Sequence, residues 1–238
     1  MGWIALVPLL LALRRVSSML TAMALGLLFG IAFLAQTLPW LLTMFSERWL
    51  CWYLAALALP FALFAGADHL VRRKFSATLP LLLTPVLWVA ADFLRCEGWH
   101  YQFSWAQLGF TQVPWLVGRA LYPQLGVYGV SFLMVAANAA LATLVSTRDR
   151  GSRVYALGLL ASIVLLLAVA LPLQHSVPWQ SAHPLTALVV QDEHGGLARL
   201  RSLTLAASAA RPDLVVWPEY AGGNLLASPA HMAQVQRL

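Results

Sequence analysis

The sequence predicts a polytopic α-helical membrane bundle that leads into the incomplete start of an α/β domain. Three observations carry that expectation. The chain has 238 residues, of which 61% are hydrophobic and only 10% charged, whereas an average soluble protein is about 25% charged. Five runs without a single charge are long enough, or nearly so, to cross a bilayer, which takes about 20 residues at a rise of ~1.5 Å. Past residue 173 the pattern changes to short Val-rich runs separated by Gly, Pro and polar residues.

Composition also excludes other classes. A soluble domain of this length needs a charged coat, which 15 basic and 9 acidic residues do not supply, whereas a lipid-facing surface needs none. The formal charge of +6 does not indicate nucleic acid. The basic residues fall in short clusters between apolar runs and build no basic helix face. The six His residues show no metal-ligand spacing, and neither a metal nor a cofactor is expected.

The spans follow in order. Residues 3–13 are too short to cross, lack the basic start of a signal peptide, and read as the end of a helix whose beginning is missing. The five full spans are residues 16–46, with an apolar heart at 19–42, then 49–67, 75–91, 120–147 and 154–173. Gly26 and Gly30, four apart, allow close helix approach, and Asn138 in mid-span suits an interhelical hydrogen bond. Asp68-His69 reads as a helix-end cap region. Arg14, Arg15, Arg72, Arg73, Lys74, Arg148, Arg150 and Arg153 fall on one side of the membrane, and Arg48, Arg95 and Arg119 on the other. The positive-inside rule places the first set in the cytoplasm and everything after residue 173 outside it.

The outer connection between Arg95 and Arg119 is aromatic: Trp99, Tyr101, Phe103, Trp105, Phe110 and Trp115. Two roles fit it, an interfacial belt of amphipathic rings and a loop that handles a lipid substrate. Asp92 and Arg95, three apart on one helix, can form a local ion pair or meet a lipid headgroup. Cys51 and Cys96 both lie near the outer face. They read as buried free thiols, with a bridge open to them if their Cα atoms come within about 7 Å.

Residues 174–184 form a linker, and residues 185–238 begin an α/β domain. Residues 185–190 suit a buried strand, 197–210 a helix, and 214–217 a second buried strand that Pro218 ends. Strand, helix, strand opens a parallel sheet, in which sites form at the carboxyl ends of strands. Glu219 occupies such an end. It is either an exposed loop acid or a general base beside a nucleophile. About 55 residues after Gln180 are too few for an ordinary α/β sheet, so this domain is expected to be cut short.

At residues 212–219, Pro-Asp-Leu-Val-Val-Trp-Pro-Glu, the sequence resembles the first catalytic motif of the nitrilase, or carbon–nitrogen hydrolase, superfamily. The membrane half narrows the resemblance to the bacterial apolipoprotein N-acyltransferase family. It does so through Gly2-Trp3, Pro8-Leu9-Leu10, Arg14-Arg15, Asp92-Phe93-Leu94-Arg95, Gln107-Leu108-Gly109-Phe110-Thr111-Gln112, Gln124-Leu125-Gly126-Val127-Tyr128-Gly129-Val130-Ser131-Phe132 with Asn138 after it, and Val189-Val190-Gln191. The resemblance implies a nitrilase-like outer domain and a two-step acyl transfer. A Cys takes an acyl chain from a phospholipid as a thioester, and the N-terminal amine of a lipid-modified apolipoprotein then accepts it. Glu serves as base, and Lys supports the oxyanion.

By motif, Glu219 matches the base, and the Lys and Cys have no counterpart after it. The resemblance therefore implies a family member truncated at both ends and inactive alone, whether as a fragment, a decayed copy or half of a split protein with a separately encoded C-terminal part. It also implies a multi-pass protein of the bacterial inner membrane with a periplasmic C-terminal segment. Trp105, Phe103, Asp92 and Arg95 are the candidate lipid-handling residues. Two alternatives stay open: a non-catalytic membrane remnant or binding module, and another membrane-anchored carbon–nitrogen hydrolase.

Overall fold

The structure, a computed structural model, describes residues 2–43, 46–75, 78–98, 103–173, 185–192, 196–207, 209 and 211–218. The chain divides into two units, Met1–Val177 and Pro178–Leu238.

The first unit is helical: α1 Val7–Arg15, α2 Met19–Thr37, α3 Glu47–Lys74, α4 Leu79–Cys96, α5 Leu116–Ser146 and α6 Arg150–Leu173, with short 3-10 turns at Pro39–Thr43 and Leu108–Gln112. Among the described residues, five helices are long and apolar enough to cross a membrane, α2 through α6. This fits a membrane bundle. On α6, Val154, Leu157, Val164, Leu165 and Val169 stand exposed, as expected of a helix whose outer solvent is lipid.

Sequence features explain where the helices start and stop. Ser18 caps α2 by accepting the Thr21 N–H at 3.1 Å. Pro8 and Pro80 sit in first turns, where the missing N–H costs nothing. Gly26 and Gly30 put the backbone of α2 against α3. A Cβ on Gly26 would lie 2.6 Å from the Ala65 Cβ and one on Gly30 2.7 Å from Phe61 Cδ2, so the expected close approach is present.

Several expectations are corrected. The first span is shorter than residues 16–46, because Pro39 begins a 3-10 turn after α2 ends at Thr37. The second is longer than 49–67: α3 continues through Asp68 and His69 to Lys74. Asp68-His69 is therefore no cap. Asp68 is buried in the helix, bound to Arg72 Nε at 2.6 Å and accepting from Thr84 Oγ1 at 2.6 Å. Paired in this way, the carboxylate lets the helix run on. The fourth span is not continuous. Gly126 has φ 62° and ψ −177°, which breaks α5 inside its length, in a region of backbone space that is essentially reserved for Gly. The stub at residues 3–13 is corrected as well: it is not the end of a longer helix, because α1 starts at Val7, directly after Leu6 and with Pro8 in its first turn, and runs 9 residues to Arg15.

Asn138 joins α1 to α5. Its Oδ1 accepts the Leu6 N–H at 2.8 Å, and its Nδ2 donates to Gly2 O at 3.0 Å and Met134 O at 2.7 Å. The expected interhelical bond is thus a cap on the first turn of α1, where backbone N–H groups lack helical partners.

The second unit contains β1 Ala187–Val189, α7 Leu197–Ala207 and β2 Leu214–Val216. The strands pair in parallel, Ala187 with Leu214, Leu188 with Val215 and Val189 with Val216. Asp213 Oδ2 accepts the Thr186 N–H at 2.8 Å, and Trp217 Nε1 donates to Thr204 Oγ1 at 3.0 Å. Strand, helix, strand is as expected, but both strands are shorter and neither is buried. Val189, Leu214, Val215 and Val216 are exposed, since among the described residues the pair has one helix beside it.

Candidate functional site

The site is built around Arg95, in the last turn of α4. Its side chain is fully buried. Nη2 pairs with Asp92 Oδ1 at 2.8 Å, and Nη1 donates to two backbone carbonyls, Phe103 at 3.0 Å and Trp105 at 2.6 Å. The Phe103 N–H returns a bond to Arg95 O at 3.3 Å. A planar guanidinium is suited to this, because its donors reach a carboxylate on one edge and carbonyls on another. The neighbouring Cys96 Sγ accepts from Gln107 Nε2 at 3.1 Å. The chain that leaves α4 is thereby tied back to it at three points, Phe103, Trp105 and Gln107.

Arg95 also lies over the Phe61 ring, 5.9 Å from its centroid. The ion pair faces no surface: Asp92 and Arg95 are both buried. The local ion pair expected of these two residues is formed.

The clamp fixes the backbone of the aromatic loop and leaves its rings to their neighbours. Trp105 packs edge-on against Trp40, centroids 5.8 Å apart, and keeps 62% of its surface exposed. Phe103 meets Tyr53 edge-on at 5.8 Å, and Tyr53 meets Trp49 at 5.3 Å. Beside these rings, Trp49, Trp52, Tyr53 and Ala56 line a cleft of about 330 Å³. The result is an aromatic end to the bundle, with a groove lined by rings and an exposed Trp beside it. Rings of this kind prefer the zone between headgroups and hydrocarbon.

Further on, Gly109 N donates to Ser131 Oγ at 2.8 Å, Tyr122 Oη donates to Gly109 O at 2.5 Å, and Trp3 Nε1 donates to Gln112 Oε1 at 3.0 Å. The Gln107–Gln112 stretch is therefore fastened to both α5 and the residues before α1.

Four predicted residues, Asp92, Arg95, Phe103 and Trp105, come together here. Trp99, Tyr101 and Glu219 lie outside the described residues. Cys51 is exposed rather than buried, Cys96 is buried, and both are free thiols. Sequence reasoning missed Trp40, Trp49, Tyr53 and Gln107 as companions of the loop. The density of aromatics between residues 40 and 53 was the available signal. Lys74 and Cys51 lie at opposite ends of α3, 23 residues or about 35 Å apart along the axis.

Residues 1–140 match the family model described as the apolipoprotein N-acyltransferase N-terminal domain. A curated protein of Geobacter metallireducens named apolipoprotein N-acyltransferase is 29% identical over 253 residues, an alignment that takes in 93% of this chain and 47% of that protein. The chain spans about half the length of the curated relative it matches.

Proposed function

The chain belongs to the apolipoprotein N-acyltransferase family, and from that premise we propose that it serves lipoprotein N-acylation by engaging phospholipid at its aromatic end. The donor in this reading is a phospholipid acyl chain, and the acceptor is the N-terminal amine of a lipid-modified apolipoprotein. The observation that carries it is the clamp: Arg95 holds the Phe103 and Trp105 carbonyls, so an exposed ring and an aromatic cleft are presented together. Asp92 and Arg95 act as positioning residues, and Phe103 and Trp105 as the lipid contacts. The strand pair opens a nitrilase-like α/β domain. Glu219, two residues beyond the Trp217 that follows β2, is its general base. The Arg-rich turns face the cytoplasm, and the aromatic end and second unit face the periplasm of an inner-membrane protein.

A second reading draws on a specific observation. Lys74 is the one lysine in the 238 residues, and both cysteines precede Glu219. These residues therefore supply a base and a lipid platform without the nucleophile and oxyanion partner that the chemistry uses, and on their own they bind rather than acylate. The test is to incubate the purified chain in nanodiscs with a phospholipid bearing a tagged acyl chain. Phospholipid stays bound, and no hydroxylamine-sensitive label forms on Cys51 or Cys96. A labelled thioester on either cysteine contradicts the assignment.

A further inference from the structure

A second cavity opens at the other end of the bundle, with a volume of about 430 Å³, inside the ordinary range for small-ligand sites. Its polar wall is Arg14 from α1, His69, Arg72 and Arg73 from α3, and Thr143 from α5. Three guanidinium groups thus share one cavity. One is neutralised, since Arg72 is held by Asp68 through Nε at 2.6 Å and Nη2 at 3.1 Å. Among the described residues, the hydrogen bonds of Arg14 go to neutral acceptors: Nη1 donates to Ala142 O at 3.0 Å and to Ser146 Oγ, and Nη2 to Thr143 Oγ1 at 2.6 Å. Arg73 reaches the Ser17 carbonyl at 3.2 Å.

Two polar atoms of this wall are left over. His69 is 4% exposed, and its Nε2 has no hydrogen-bond partner. The buried Nε of Arg14 has none either. Leaving such groups unpaired is costly unless a ligand or water meets them. Excess positive charge and forked donors in one cavity, with an unpaired imidazole nitrogen buried in its wall, make a receptor for a tetrahedral oxyanion.

We propose that this cavity binds a phosphate group, held by Arg14 and Arg73 with His69 Nε2 completing the contact. The phosphate comes from a phospholipid headgroup or from free inorganic phosphate. Leu13, Val16 and Phe75 form apolar wall beside the cations, which suits a headgroup with its glycerol. The site lies at the opposite end of α3 from Tyr53 and does not depend on acyl transfer.

The full chain in detergent tests it in two arms. Native mass spectrometry compares retention of added phosphatidylglycerol with retention of diacylglycerol, which lacks the phosphate. Thermal unfolding compares inorganic phosphate with chloride at equal ionic strength. Binding in the first arm, competed by phosphate, identifies a headgroup site. Protection in the second arm alone identifies a free-phosphate site. Arg14→Gln removes three structural bonds as well as charge, whereas Arg73→Gln removes one exposed bond to Ser17 O, so Arg73→Gln is the informative variant, and it should lower binding in the responding arm about tenfold with little change in unfolding without ligand. Equal retention of both lipids with no phosphate effect overturns the proposal, as does wild-type binding in both Arg73→Gln and His69→Phe.

Discussion

Arg95 donates to the Trp105 carbonyl at 2.6 Å while pairing with Asp92 at 2.8 Å, so one buried cation joins the end of a membrane helix to the backbone of an aromatic loop. Replacing it with Met leaves the Asp92 carboxylate without its partner and frees two carbonyls. Removing one member of a buried pair costs about 3–5 kcal/mol. Arg95→Met should lower the unfolding midpoint in detergent and speed amide exchange at Phe103, whose N–H bonds to Arg95 O. Arg95→Lys should recover only part of this, because an ammonium lacks the fork that spans Asp92 and the two carbonyls. Unchanged exchange at Phe103 in both variants would show that the loop holds itself.

Asn138 makes three bonds from a fully buried position, two of them to residues at or before the start of α1. Asn138→Ala leaves the Leu6 N–H and the Gly2 carbonyl unpaired, at about 1–3 kcal/mol for each buried group. The expected result is lower stability with early loss of protection at Leu6. Loss spread evenly over the bundle would contradict this placement.

Gly126 presents a different constraint. A Cβ there would meet nothing within 4 Å, so space is not the limit. The backbone is, at φ 62° and ψ −177°. Gly126→Ala should cost about 1–3 kcal/mol. Asn, which tolerates ordinary left-handed turns, should not rescue it, because ψ lies far from that region. Equal stability of Gly and Ala chains would show that α5 straightens without penalty.

Asp149 links pH to the start of α6. Its Oδ2 accepts the Ser152 N–H at 2.7 Å. The Ser152 side chain and backbone hold its carboxyl below the usual aspartate value. A depressed value in the folded state means the cap contributes fully above the ordinary value of 3.8 and is lost as pH falls through the lowered one. The stability difference between wild type and Asp149→Ala should therefore be present at neutral pH and close as the solution is acidified below about pH 4. A difference that grows on acidification would contradict the cap.

Much of the bundle was legible because lipid imposes a simple rule: spans must be apolar and long, and five such runs stand out. Their ends were less legible. Asp68 looked like a boundary, yet Arg72 four residues on and Thr84 on the next helix satisfy it within the helix. The break at Gly126 was hidden because a Gly in an apolar run suggests packing, and only its positive φ gives the true reason. The aromatic rings of the loop were legible from its composition. What holds them was not, since Arg95 acts on main-chain carbonyls 8 and 10 residues away, and carbonyls carry no sequence signal. The same is true of Asn138 and Leu6, which are 132 residues apart.

The most direct measurement is photo-crosslinking of the chain in nanodiscs to a phospholipid carrying a diazirine in its acyl chain, followed by peptide mapping. The account predicts adducts on peptides containing Phe103–Trp105 and Trp49–Tyr53, reduced severalfold by Trp105→Ala and by Arg95→Met. Adducts spread evenly over α6 and other lipid-facing helices, with neither variant changing the yield at the loop, would contradict it.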